Sequence, residues 1–102
     1  MEREKSIENI RNIRKLIINA EKISDHDFRL ILERLIKNGD ENSEYVLIKY
    51  MTSIEVGIRA RMNIIRTAGY LHYQSFLEHL KRIIESESNI NLKKESIISI
   101  AK

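Results

Sequence analysis

The chain has no cysteine, no proline and only three glycines among its 102 residues. Without thiols, disulfides and thiolate metal sites are excluded. Few breakers and 32% charged residues point to an all-helical protein rich in helix formers. No apolar run approaches the ~20 residues of a membrane span. The opening "MEREKSIENIRNIRK" has charges inside its first apolar region and no small-residue cleavage site, so it is not read as a secretory signal. The expectation is one soluble, cytoplasmic domain with no membrane partner. Phosphate-cradling glycine loops, a nucleophile elbow and HExxH are all missing, so neither an enzyme nor a cofactor is expected. His72 and His79 share a helix face but sit two turns apart, ~10 Å along the axis, too far for one metal ion.

Isoleucine dominates the apolar set, and valine occurs only at Val46 and Val56. Abundant Ile, Lys and Asn suggest AT-rich codons and a bacterial source. The formal charge of +3 is unevenly placed. Residues 23–56 carry four basic and seven acidic groups, whereas 57–82 carry five basic and one acidic. Such asymmetry can steer a charged partner.

Hydrophobic spacing predicts about six helices. The first runs from about Ser6 to Ala20, with Ile7, Ile10, Ile13, Ile17 and Ala20 as its apolar stripe. In "ISDHDFRLILERLIKNGD", Ser24 is the N-cap of the second, with Asp27 at N3 and an Ile23–Phe28 staple. Phe28, Ile31, Leu32, Leu35 and Ile36 form its buried face, and Asn38-Gly39 supplies a left-handed stop. A third helix spans about Asn42 to Thr52, using Val46, Leu47, Tyr50 and Met51. Ser53 is expected to cap a fourth that ends at Gly69. The fifth, about Tyr73 to Ser86, buries Phe76, Leu77, Leu80, Ile83 and Ile84. The sixth begins after Asn89 or Asn91 and uses Leu92, Ile97 and Ile100. Short connections imply antiparallel neighbours.

Sliding the chain by 36 residues lays Val56, Ala60, Ile64 and Ile65 on Leu92, Ser96, Ile100 and Ala101, and Ser53 on Asn89. Two helices per period is an alpha-solenoid signature. Over about residues 42–102 the chain resembles the HEAT-repeat family, whose inner helices often open with a branched apolar residue followed by a basic one. Ile58-Arg59 and Leu92-Lys93 fit that pattern under a further two-residue shift. The fold expectation is therefore all-α, in antiparallel hairpins, as a short HEAT-like alpha-solenoid or a compact helical bundle. The resemblance implies inter-repeat ion pairing for Arg59, and some proteins of this kind bind nucleic acid along a concave basic surface.

Three arginines thread the apolar run "SIEVGIRARMNIIRTAG". Arg59, Asn63 and Arg66 share one helical face, and Tyr70, His72, Tyr73 and Arg82 follow. Together these seven form the candidate partner-binding set, with Arg66 and the later residues as its available part. The expected function is non-catalytic binding of another protein, as a small inhibitor, adaptor or toxin-immunity protein. A nucleic-acid binder using residues 57–82 is the alternative, since basic groups among tyrosines contact phosphates and stack on bases. Ile97, Ile98 and Ile100 at the last helix either all pack inward or leave an apolar end suited to a weak homodimer.

Overall fold

The computed structural model describes residues 2–101. They form α1 (Glu2–Ile18), a single 3-10 turn (Ala20–Lys22), α2 (Asp25–Lys37), α3 (Glu41–Thr52), α4 (Ile58–Leu71), α5 (Gln74–Ser86) and α6 (Ile90–Ala101). The described residues contain no strand, so the chain is all-α with six helices. None of these helices is long and apolar enough to cross a membrane.

Side-chain caps set three of the starts. Ser24 Oγ accepts from the Asp27 amide at 3.1 Å, as the sequence predicts. Asp40 Oδ1 accepts from the amides of Asn42 and Ser43, and Asn89 Oδ1 from those of Asn91 and Leu92. Three boundaries differ from expectation. Ser53 follows α3 and accepts from the Glu55 amide, so it shapes the α3–α4 turn, and Gly57 is the N-cap of α4. The left-handed stop falls at His72, with φ 56°, and α4 runs two residues past Gly69. Gly39 is not left-handed. A Cβ there would lie 2.8 Å from Asn9 Nδ2 and 2.9 Å from Ser43 Cβ, so its small size serves a close approach between elements.

Cross-contacts give the stacking order. Asn9, midway along α1, donates to Leu35 O, late in α2, at 3.0 Å, and one cleft joins Lys5 and Ser6 near the start of α1 to Asn38 at the end of α2, which makes α1 and α2 antiparallel. Arg61, early in α4, donates to Met51 O, late in α3, and makes the second hairpin antiparallel too. Between hairpins like positions meet: Asn9 with Ser43, Asp25 with Arg59 and Asn63, Glu44 with Ser75, Arg66 with Glu95. So α1, α3 and α5 form one layer of parallel helices, and α2, α4 and α6 the other. The radius of gyration, 12.8 Å, is what a compact chain of this length has.

The core fills the space between the layers. Ile13, Phe28, Leu32, Leu47, Met51, Ile65, Phe76, Leu80 and Leu92 are fully enclosed, each contributing about 1.5–3 kcal/mol of burial. The expected faces hold at Phe28, Leu32, Ile36, Leu47, Met51, Phe76, Leu80 and Ile83. Ile7 and Ile31 are exposed instead. At the α1 start, Ser6 and Asn9 make polar contacts to α3, and Leu16 joins Ile13 and Ala20 inside.

The second layer repeats at 32 residues rather than 36. Phe28, Ala60 and Leu92 occupy one buried position, and Leu32, Ile64 and Ser96 the next. The N-caps Ser24, Gly57 and Asn89 keep the same spacing within one residue.

Candidate functional site

The fourth helix lies at the centre of its layer, between α2 and α6, and its three arginines reach in different directions. Arg59 Nε donates to Asp25 Oδ1 at 3.0 Å and Nη2 to Ile23 O at 3.1 Å, with Nη1 3.7 Å from Glu21 Oε2. Buried Asn63 donates to the same Asp25 oxygen at 3.0 Å. Those donors, Asn63 foremost and then Arg59, hold the Asp25 carboxyl below the usual aspartate range. The same contact raises the Arg59 guanidinium above its ordinary value. Asp25 also opens α2, where the positive helix end favours a carboxylate.

Arg61 points the other way and is 5% exposed. Its Nε donates to Met51 O at 2.8 Å, satisfying an otherwise orphaned carbonyl at the end of α3. Its Nη2 donates to Glu87 Oε2 at 2.6 Å, and this bond pulls the Glu87 carboxyl below the usual glutamate range. Arg66 Nε donates to Glu95 Oε1 at 2.8 Å, tying α4 to α6 over a half-open surface. All three arginines of the run are therefore joined to carboxylates within the chain.

The rest of the expected set divides. The Arg29 guanidinium lies over the Tyr70 ring, 4.6 Å from its centroid, and Tyr70 is half exposed on the α2–α4–α6 layer. His72 is the exposed left-handed residue that ends α4. Tyr73 precedes α5 with its ring stacked on Phe76, centroids 5.8 Å apart. Arg82 lies on α5, in the other layer. Arg59, Arg66 and Tyr70 thus share one surface, with Asn63 buried beneath it, His72 and Tyr73 at its border and Arg82 elsewhere.

Sequence reasoning missed Asp25, Glu87 and Glu95 as the partners, and Arg61 as a member. One signal was available. Arg61 shares the i, i+3, i+4, i+7 row with Ile64, Ile65 and Ala68, and an arginine on an apolar row requires a buried acceptor. The sixth helix misled for a related reason. It buries Leu92, Glu95, Ser96 and Ser99 and leaves Ile97 and Ile98 half exposed. Small side chains are required there, because a Cβ on Gly69 would stand 2.6 Å from Ser99 Cβ.

The solvent side of the α2–α4–α6 layer is built from i, i+4, i+8 rows. These are His26, Leu30 and Arg34 on α2, Ile58, Met62 and Arg66 on α4, and Ile90, Lys94 and Ile98 on α6. Seven of the eleven exposed large hydrophobics belong to these three helices: Leu30, Ile31, Ile58, Tyr70, Ile90, Ile97 and Ile98. The three helices also carry eight basic and four acidic residues. Shallow clefts along α1 and α2 lie away from the α4 arginines. No three His, Asp or Glu side chains gather as a metal site among the described residues. Comparison with known proteins finds no matching family model, no matching curated protein and no matching solved structure.

Proposed function

We propose that this chain is a non-catalytic protein-binding module, a short HEAT-like solenoid that works through the solvent side of α2, α4 and α6. The observation that carries the reading is the placing of seven of the eleven exposed large hydrophobics on that layer. Apolar side chains interleaved with arginines and a tyrosine are the composition of protein interfaces. Arg66 and Tyr70 belong to this surface, His72 and Tyr73 border it, Arg59 lies on it held to Asp25, and Asn63 supports it from beneath. Action is stoichiometric, as for an inhibitor, an adaptor or a toxin-immunity protein.

The same layer is basic, which favours nucleic acid as the second reading. Against it, Arg59, Arg61 and Arg66 already hold carboxylates at 3.0 Å or less. A phosphate would have to displace Asp25, Glu87 or Glu95 to use them. The test compares wild type with Leu30→Asp/Ile98→Asp on this layer and Arg11→Glu/Arg82→Glu on the other. The reading expects a protein partner bound one to one, lost from the first variant and kept by the second. A short DNA or RNA held at ~50 mM salt and released by ~200 mM would put the nucleic-acid reading in its place.

A further inference from the structure

The proposed binding surface is polarised along its helices. At the N-terminal edge lie Ile58 and Ile90, 48% and 66% exposed, opening α4 and α6. In the α3–α4 turn, four residues before Ile58, Ile54 is 93% exposed. One helical turn further on come Leu30, Met62 and Lys94. A second turn on come Arg34 and Arg66, then Lys37 at the end of α2. On α4 two turns, ~11 Å along the axis, separate Ile58 from Arg66, whereas on α6 Lys94 follows Ile90 after one turn and half-exposed Ile98 after two. Arg34, Lys37 and Lys94 have no ion pair among the described residues, in contrast to Arg59, Arg61 and Arg66. Arg34, Lys37 and Lys94 thus remain available, while the carboxylates of Asp25 and Glu95 are engaged inside the chain.

The geometry points to one class of occupant: an acidic amphipathic helix lying across α2, α4 and α6, its apolar stripe on Ile58 and Ile90 and its carboxylates on Arg34, Lys37 and Lys94. This inference rests on the protein-binding reading above and specifies the partner. A helix is ~10–12 Å across, so one lying over this surface spans from Ile58 and Ile90 to cations one and two turns further along. Crossing three helices packed 8–10 Å apart takes ~20–30 Å, or ~15–20 helical residues. The apolar row supplies contact area and the cations supply orientation, since complementary charge selects the partner and speeds encounter. A basic segment would meet like charge at the row of arginines and lysines. A purely acidic one would leave the isoleucines uncovered.

The test uses a random 18-residue peptide display library selected on the full chain. Peptides with acidic and apolar residues at helical spacing are expected. Their affinity should fall at least tenfold on Arg34→Glu/Lys94→Glu and on Ile58→Asp/Ile90→Asp, and fall with added salt. These side chains are exposed or half exposed, and circular dichroism confirms that each variant is folded. Peptides that require Ile58 and Ile90 but are basic or neutral would overturn the acidic-helix inference and leave the binding surface standing. Peptides insensitive to both variants but lost on Arg11→Glu/Arg82→Glu would overturn the surface as well. Failure to enrich any peptide would also count against the acidic helix.

Discussion

Arg59 and Arg61 are two residues apart and contribute very differently. The Arg59–Asp25 pair is open to water, where solvent screens the attraction and little stability results. Arg61 is enclosed, and removing one member of a buried pair costs about 3–5 kcal/mol because the other charge is stranded. The pH dependence follows from Glu87, whose carboxyl in the folded protein ionises below its ordinary value of 4.5. A depressed carboxyl stabilises the fold above its unfolded pKa, and that stability is lost as pH falls through the folded value. Glu87→Gln keeps an acceptor for Arg61 at the more open end of the pair, so it should destabilise at pH 7 by less than full removal, on the order of 2 kcal/mol, with the difference from wild type narrowing below about pH 4. Urea unfolding at pH 7 and pH 3 checks it, and an unchanged difference would mean that the charge on Glu87 is not what matters. The residue scale was the least legible in the sequence. The pairing of Arg61 with Glu87 spans 26 positions and two helix ends, and no local pattern encodes it.

The helices themselves were largely legible, because caps and apolar spacing are local. Ser24, Phe28, Leu32 and Ile36 fall as read, and so do Phe76, Leu80 and Ile83. The repeat length was misread by four residues for a physical reason. A helical stripe sliding by one turn lands nearly on itself, so 36 and 32 both align apolar residues, and only the shared burial of Phe28, Ala60 and Leu92 and the spacing of the N-caps Ser24, Gly57 and Asn89 separate them. Gly69 presents a competition at this scale. Glycine inside a helix is worse than alanine by roughly 0.5–1 kcal/mol, which would make Gly69→Ala stabilising. The new Cβ would also stand 2.8 Å from Ser99 Cα and 3.0 Å from its carbonyl oxygen. Backbone cannot swing aside as a flexible side chain can, and overpacking of this kind costs about 1–3 kcal/mol. The packing term is the larger, so Gly69→Ala should lower the thermal midpoint. A raised midpoint would show that α6 does not approach α4 this closely.

At the scale of the whole molecule, two parallel layers are joined at their centre by α4. The α1–α3–α5 layer exposes few large apolar side chains on its helices: Ile7, Ile18 and Tyr45, with none on α5. The α2–α4–α6 layer holds the rest of the helical ones and most of the net charge, which no single stretch of the sequence reveals because its three helices are 32 residues apart. The proposed binding function rests on that asymmetry. The most direct measurement is a photocrosslinking scan, with a photoreactive residue placed in turn at Leu30, Ile58 and Ile98 on one layer and at Arg11, Tyr45 and Arg82 on the other, using a bound protein partner. The account predicts discrete crosslinks from Leu30, Ile58 and Ile98 and none from the other three. Crosslinks confined to Arg11, Tyr45 and Arg82 would contradict it.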